Sequence, residues 1–108
     1  MSKYLIKASY SADSVKGIMK EGGTGRVKAI TTMVEEMGGS LEGFYFAFGD
    51  TDVYVIVDVP GGNVDAAVVA ATVDSSGAMT KYETVTLLTP EEVDVAVQKA
   101  VNYRPPGA

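Results

Sequence analysis

The sequence predicts an α+β domain whose elements follow the order β-α-β-β-α-β, with a third helix and an extended tail after them. Short runs rich in β-branched and aromatic residues alternate with longer segments whose apolar residues recur at helical spacing. Clusters of Gly, Pro, Ser and Asp separate these segments. The length of 108 residues is that of a single domain.

The first half of the chain predicts a strand, a long helix and a glycine stop. Residues 3–10 are short and apolar enough for a strand, and Ser11 supplies helix-cap chemistry. The helix is expected to break at 22–25, because each glycine costs a helix about 1 kcal/mol. It resumes until Met37 and ends at the Gly38-Gly39 pair.

The second half predicts two adjacent strands, a helix, a fourth strand and a last helix. A Gly-Asp-Thr-Asp turn joins the two strands into a hairpin, and Thr89-Pro90-Glu91-Glu92 is a complete helix-start signal. Asn63 is the expected cap of the middle helix. The predicted bounds are, in order, 41–48, 53–59, 63–73, 79–88 and 89–101.

This order is typical of the ferredoxin-like fold, a four-stranded antiparallel sheet with two helices on one face. The predicted domain spans residues 1–103, and residues 104–108 form an extended C-terminal tail, since two prolines cannot continue a helix.

Composition narrows the function. The chain has neither cysteine nor histidine and a net charge of −5, so thiol and imidazole chemistry are excluded. We predict no metal and no cofactor, and we predict neither nucleic acid nor membrane as a partner. The N-terminus shows no signal-peptide pattern, and the expected location is the cytoplasm.

The face of the sheet away from the helices is predicted to be apolar. In strand 53–59 the valines alternate with Tyr54, Ile56 and Asp58, and we place the valines against the helices. Strand 41–48 adds to the open face one of two sets. These sets are Phe44, Phe46 and Phe48, or Leu41, Tyr45 and Ala47. Either set is too apolar for water, and this favours a second copy of the chain as partner.

Two groups of side chains are candidates for ligand binding. Sheet-to-sheet dimers often enclose a small cavity, and the polar residues expected there are Asp52, Tyr54, Asp58 and Tyr82. A structural role at the sheet edge is the alternative for these four. The second group is Arg26 behind the glycine segment, where backbone N–H groups and a guanidinium can bind an anion. The alternative is a break that lets the first helix bend around the sheet.

Several segments together resemble the GYD domain family over essentially the whole chain. They include Phe44-Tyr45-Phe46-Ala47-Phe48-Gly49, the run from Asp52 to Pro60, and Leu87 to Asp94. The segment behind the family's name reads Gly49-Asp50-Thr51-Asp52 here, with Thr51 in place of tyrosine. The resemblance implies small prokaryotic proteins of ferredoxin-like fold, related in architecture to dimeric α+β barrels, and implies no activity.

Three functions are compatible with these observations. The first is a homo-oligomeric small-molecule-binding protein with an inter-subunit site beside the open sheet face. The second is a cofactor-free enzyme acting on a small organic substrate, in the manner of monooxygenases or isomerases of similar architecture. The third is a purely structural assembly subunit, which the apolar middle helix and the tail favour.

Overall fold

The computed structural model describes all 108 residues and has the predicted order of elements, with a third helix after the fourth strand. The elements are β1 (Ser2–Tyr10), α1 (Ala12–Glu36), β2 (Ser40–Phe46), β3 (Val53–Val59), α2 (Gly62–Ser75), β4 (Met79–Leu87) and α3 (Pro90–Gln98). The α+β, ferredoxin-like prediction is confirmed. The last helix is shorter than expected and ends at Gln98. None of the three helices is both long and apolar enough to cross a membrane.

The four strands form one antiparallel sheet in the order β2-β3-β1-β4. One row of directly paired residues crosses all four strands, and it consists of Val85, Leu5, Ile56 and Gly43. Paired residues lie on the same face of a sheet. This row therefore defines the face that carries no helix.

The core lies between the sheet and the helices, as the valine alternation of β3 predicts. Val53, Val55, Val57 and Val59 are all buried, and they share the core with Tyr4, Ile6, Ala8, Val34 and Val69. Each buried methylene contributes about 0.8 kcal/mol. The valines therefore fix which face of β3 meets the helices.

A bulge in β2 decides which of its side chains face the helices. Leu41 pairs with Val57 and Gly43 pairs with Ile56, so Glu42 is an extra residue in β2. After this bulge Phe44 also lies on the helix side, where it packs against the core together with Leu41. The open face receives Tyr45, and neither of the two predicted sets is correct as a whole.

The long first helix bends at one residue. Gly22 has φ 78° and ψ 165°, while Gly23, Thr24 and Gly25 remain helical. Only glycine adopts this backbone conformation without strain. The predicted break is therefore confirmed, although it is narrower than the sequence indicated.

The start of the second helix differs from the prediction. Its N-cap is Gly61, whose N–H donates to the side chain of Asp65 at 2.7 Å. Asn63 instead accepts a hydrogen bond from the Tyr4 hydroxyl at 2.6 Å and ties the helix to β1. The expected capping role of Asn63 is wrong.

The last helix leaves the body of the domain. Thr89 and Glu92 form both hydrogen bonds of a capping box, as predicted. Every residue from Pro90 to Ala108 is exposed. The radius of gyration is 16.8 Å, whereas a compact domain of this length has about 13 Å. We call residues 88–108 the C-terminal arm.

Candidate ligand cleft on the helix side of the sheet

The bend at Gly22 leaves a cleft between the first turns of α1, the end of α2 and the start of β4. This cleft has a volume of about 380 Å³. Its walls are mainly apolar and include Ile18, Ile30, Val73 and Met79. Small-molecule sites in proteins commonly span about 300–1,000 Å³ and are lined in this way. The cleft is therefore large enough for a small organic molecule.

One guanidinium, that of Arg26, lies in the wall of this cleft. Arg26 Nη1 lies 3.3 Å from Glu21 Oε1, and both residues belong to α1 on either side of its bend. The Nε atom of Arg26 is buried and has no hydrogen-bond partner. An unpaired buried N–H costs about 1–3 kcal/mol, more when the group is charged. The guanidinium, whose side chain is 32% exposed, therefore has hydrogen-bonding capacity left in the wall of the cleft.

Tyr10 is the last residue of β1 and lies on the helix side of the sheet. Its side chain lines the cleft and also two further cavities that adjoin the cleft. Burial raises the pKa of the Tyr10 phenol, Arg26 opposes this, and the carboxylates of Asp52 and Glu21 raise the pKa further. The phenol is therefore protonated at neutral pH and can donate a hydrogen bond.

A second, wider opening lies beside the cleft and shares Tyr10 and Ile18 with it. Its volume is about 500 Å³, and Val15, Phe46 and Phe48 form its rim. Phe46 packs edge-on against Phe44, with ring centroids 5.2 Å apart. We give the name mouth patch to the exposed apolar residues that line this opening, Val15, Phe46 and Phe48, together with the exposed Met19 one turn after Val15 on α1.

Beneath the cleft a small pit of about 40 Å³ reaches into the core, and all of its lining residues are hydrophobic. Tyr82 lines this pit, and its hydroxyl is buried without a hydrogen-bond partner. Burial also raises the pKa of the Tyr82 phenol. The pit can accept an apolar group of the size of a methyl, because water would find few polar partners there.

The open face of the sheet carries ion pairs on each side of its apolar row. Lys3 Nζ lies 3.0 Å from Asp58 Oδ2 and also bonds Glu42, the extra residue of the bulge. The hydrogen bond to Glu42 and, to a lesser extent, the one to Asp58 raise the pKa of the Lys3 ammonium. Asp58 Oδ1 is buried and unpaired. The partner of Asp58 is thus Lys3, while Lys7 lies 3.9 Å from Glu83.

The structure separates the five sequence-predicted site residues into two groups. Tyr54 and Asp58 lie on the open face, as expected. Asp52 lies at the mouth instead, where its Oδ2 accepts from the backbone N–H of Tyr10 at 2.9 Å. Tyr82 pairs with Ala8, whose side chain is in the core, so it also faces the helices. Arg26 lies on the helix side of the sheet, as do Asp52 and Tyr82.

Sequence reasoning missed Tyr10 and Glu21. Tyr10 was recognisable in principle, because alternation from Tyr4 through Ile6 and Ala8 directs it to the helix side. Its position just before the helix cap places it opposite the glycine segment. Glu21 carried no signal, because its contact with Arg26 depends on the bend at Gly22. No group of three or more metal-ligating side chains is brought together.

Fold and cleft together define a small α+β domain of ferredoxin-like architecture with a ligand-sized space between helices and sheet. A family model of the GYD domain matches residues 4–97 of the 108-residue chain. The protein belongs to the GYD domain family. A comparison with curated proteins and one with solved structures find no significant match.

Proposed function

We propose that this protein is a homo-oligomeric small-molecule-binding protein whose helix-side cleft takes a mainly apolar molecule with one carboxylate. The observation that carries the proposal is that Arg26, a guanidinium whose hydrogen bonds are not all made, lines an otherwise mainly apolar cavity of about 380 Å³. A carboxylate is the acceptor that a guanidinium binds best, through two parallel hydrogen bonds.

The contact between Arg26 and Glu21 supports an exchange of carboxylates. Their closest atoms are 3.3 Å apart, longer than the 2.7–2.9 Å of a strong charge-assisted bond. The Glu21 side chain is 39% exposed, so water can take over its solvation when a ligand carboxylate displaces it. Arg26 is thus paired with Glu21, but not all of its hydrogen bonds are made.

The walls indicate the remainder of the ligand. Ile18, Ile30, Met33 and Val73 surround the space next to Arg26, and the apolar pit continues from it toward Tyr82. The Tyr10 phenol, whose pKa burial raises, adds one hydrogen-bond donor at the side of this space. An aromatic or branched aliphatic acid has the required shape and polarity.

Self-association is proposed through the open face of the sheet. The row formed by Val85, Leu5 and Ile56 gives this face an apolar centre. Its charged residues balance, with three cations and three anions; these are Lys3, Lys7 and Lys81, and Glu42, Asp58 and Glu83. A neutral face lets two copies approach although each chain carries a net charge of −5. An inter-subunit site at Tyr54 and Asp58 stays a prediction.

A fluorescent anion tests the proposal. 8-Anilinonaphthalene-1-sulfonate combines a sulfonate with apolar rings, and its emission rises in apolar surroundings. We expect saturable binding, displacement by benzoate, and much weaker displacement by benzyl alcohol. Arg26→Gln should weaken binding about tenfold or more, as the loss of a charge-assisted hydrogen bond requires. The matched control is Arg104→Gln, which changes the chain's other arginine in the exposed tail.

Native mass spectrometry of freshly purified protein complements the titration. A defined oligomer that retains an extra mass of an organic acid would support the proposal and name the compound. Equal affinities for the dye in Arg26→Gln and Arg104→Gln would refute the cleft as the anion site. Conversion of a retained compound would favour the enzyme alternative, and an oligomer without any affinity for apolar anions would favour a structural subunit.

A further inference from the structure

The C-terminal arm, residues 88–108, has an apolar stripe that nothing in its own chain covers. In α3 the residues Val93, Ala96 and Val97 fall on one side at the helical spacings i, i+3 and i+4. Val93 and Val97 are exposed, and so are Val101 and Tyr103 further along. An amphipathic helix of this kind gains most of its stability from packing its apolar side.

The mouth patch is also an apolar surface that its own chain leaves exposed. Val15 and Met19 are one turn apart on α1, and Met19 is 82% exposed. Lys16 and Lys20 are their immediate neighbours on the same helix and are exposed as well. Phe48 stands fully in solvent beside them. The mouth patch is therefore an apolar surface with a basic border on its α1 side, while Asp52 inside the opening accepts a hydrogen bond from the Tyr10 N–H.

Charge complementarity relates the two surfaces. The apolar stripe of α3 is bordered by Glu92 on one side and Asp94 on the other, and Glu91 precedes them. The arm thus presents carboxylates beside its valines, whereas the mouth patch presents Lys16 and Lys20 beside Val15 and Met19. Opposite charges around two apolar surfaces favour this pairing over others.

The short connection after β4 keeps α3, which is only about 14 Å long, from reaching the mouth patch of its own chain. Leu87, where β4 ends, pairs with Lys3, whereas the mouth lies beside Tyr10 at the other end of β1. These positions are seven residues apart along the strand, or about 23 Å. Only Leu88 and Thr89 connect β4 to α3, and the capping box fixes Thr89. The helix therefore continues away from the sheet.

We infer that the arm of each chain docks on the mouth patch of a second copy, with α3 against Val15, Met19 and Phe48. A two-fold axis perpendicular to the strands reverses their direction. It therefore places the end of the sheet that carries the arm in one copy beside the end that carries the mouth patch in the other copy. The exchange is then reciprocal and closes as a dimer. The arm would also cover the wider opening beside the ligand cleft. This inference does not depend on ligand binding.

Disulfide formation between introduced cysteines tests the inference. The chain has no cysteine of its own, so no other disulfide can form. Full-length Met19→Cys and full-length Val97→Cys, carrying tags of different size, are mixed and mildly oxidised. Docking raises the effective concentration of the two thiols to the millimolar range. At micromolar protein the mixed disulfide should therefore form about a hundredfold faster than for the control pair Glu35→Cys and Val97→Cys. Glu35 is also exposed on α1 but lies at its other end.

Charge reversal provides the second measurement. Lys16→Glu with Lys20→Glu in the Met19→Cys chain should abolish the excess rate, and Glu91→Lys with Asp94→Lys in the Val97→Cys chain should restore it. Equal rates for the Met19 and Glu35 pairs would overturn the inference. If the protein is a dimer through the open face and the two cysteine pairs form disulfides at equal rates, arm exchange is overturned while the proposed function stays intact.

Discussion

Gly39 is a position where a side chain would collide with the backbone of a neighbouring strand. The residue follows the C-terminal turn of α1, and its N–H donates to Val34 O at 3.1 Å. A Cβ atom there would lie 2.5 Å from the carbonyl oxygen of Asp58 and 3.0 Å from Val59 Cγ1. The carbonyl oxygen belongs to β3, which is paired on both sides, so this strand cannot easily withdraw.

We therefore expect Gly39→Ala to destabilise the protein. Overpacking costs typically 1–3 kcal/mol, and a clash with backbone belongs at the upper end, about 3 kcal/mol. For a domain of this size that corresponds to a melting temperature lowered by roughly 12–24 °C. The assay is urea unfolding followed by circular dichroism, with protein concentration matched to the wild type.

Gly17→Ala is the matched control for this substitution. Gly17 lies inside α1, and a Cβ there would meet nothing within 4 Å. Alanine in a helix is more stable than glycine by about 0.5–1 kcal/mol, so this variant should gain stability. A free energy of unfolding for Gly39→Ala within about 0.5 kcal/mol of the wild type would refute the packing of α1, β2 and β3 described above.

Three further predictions follow from individual contacts. Thr89→Ala should cost α3 about 1 kcal/mol locally, seen as faster amide exchange in α3 with an unchanged melting temperature of the sheet; a large drop in that temperature would contradict an independent arm. Burial raises the phenol pKa values of Tyr10 and Tyr82, so the folded state favours their neutral forms. The stability that this preference contributes is complete below pH 10, and it is lost as the pH rises through the pKa values of the folded state. Tyr82→Phe should therefore lose less stability between pH 9 and pH 12 in urea titrations, and an identical decline would contradict the burial of that phenol. Leu5→Glu, in a chain that also carries Lys16→Glu and Lys20→Glu so that arm exchange is absent, should dissociate the open-face dimer in sedimentation velocity, whereas an unchanged sedimentation coefficient would contradict that interface.

The order of elements was predictable because it depends on local signals. The valines of β3 show their burial by alternation, and the Thr89 capping box marks the start of α3 in four residues. Asn63 shows the limit of such signals. It is a good cap in isolation, but a tertiary hydrogen bond from Tyr4 engages its side chain instead.

The candidate site was predictable only in part. The glycine segment and Arg26 are visible in the sequence, yet the cleft exists because the bend at Gly22 sets the first turns of α1 away from the sheet. Asp52 and Tyr82 were assigned to the wrong face for different reasons. Asp52 lies beyond the regular alternation of β3, and no local signal ties the face of β4 to the register it adopts against β1.

The most direct test of the account compares benzoate affinity, measured by displacement of 8-anilinonaphthalene-1-sulfonate, in wild type, Arg26→Gln and Glu21→Gln. The cleft predicts opposite effects. Arg26→Gln should weaken benzoate binding about tenfold, while Glu21→Gln should strengthen it, because the competing carboxylate is removed and the guanidinium remains. Benzoate affinities that are the same in all three proteins would contradict the assignment of Arg26 as the anion-binding group of this cleft.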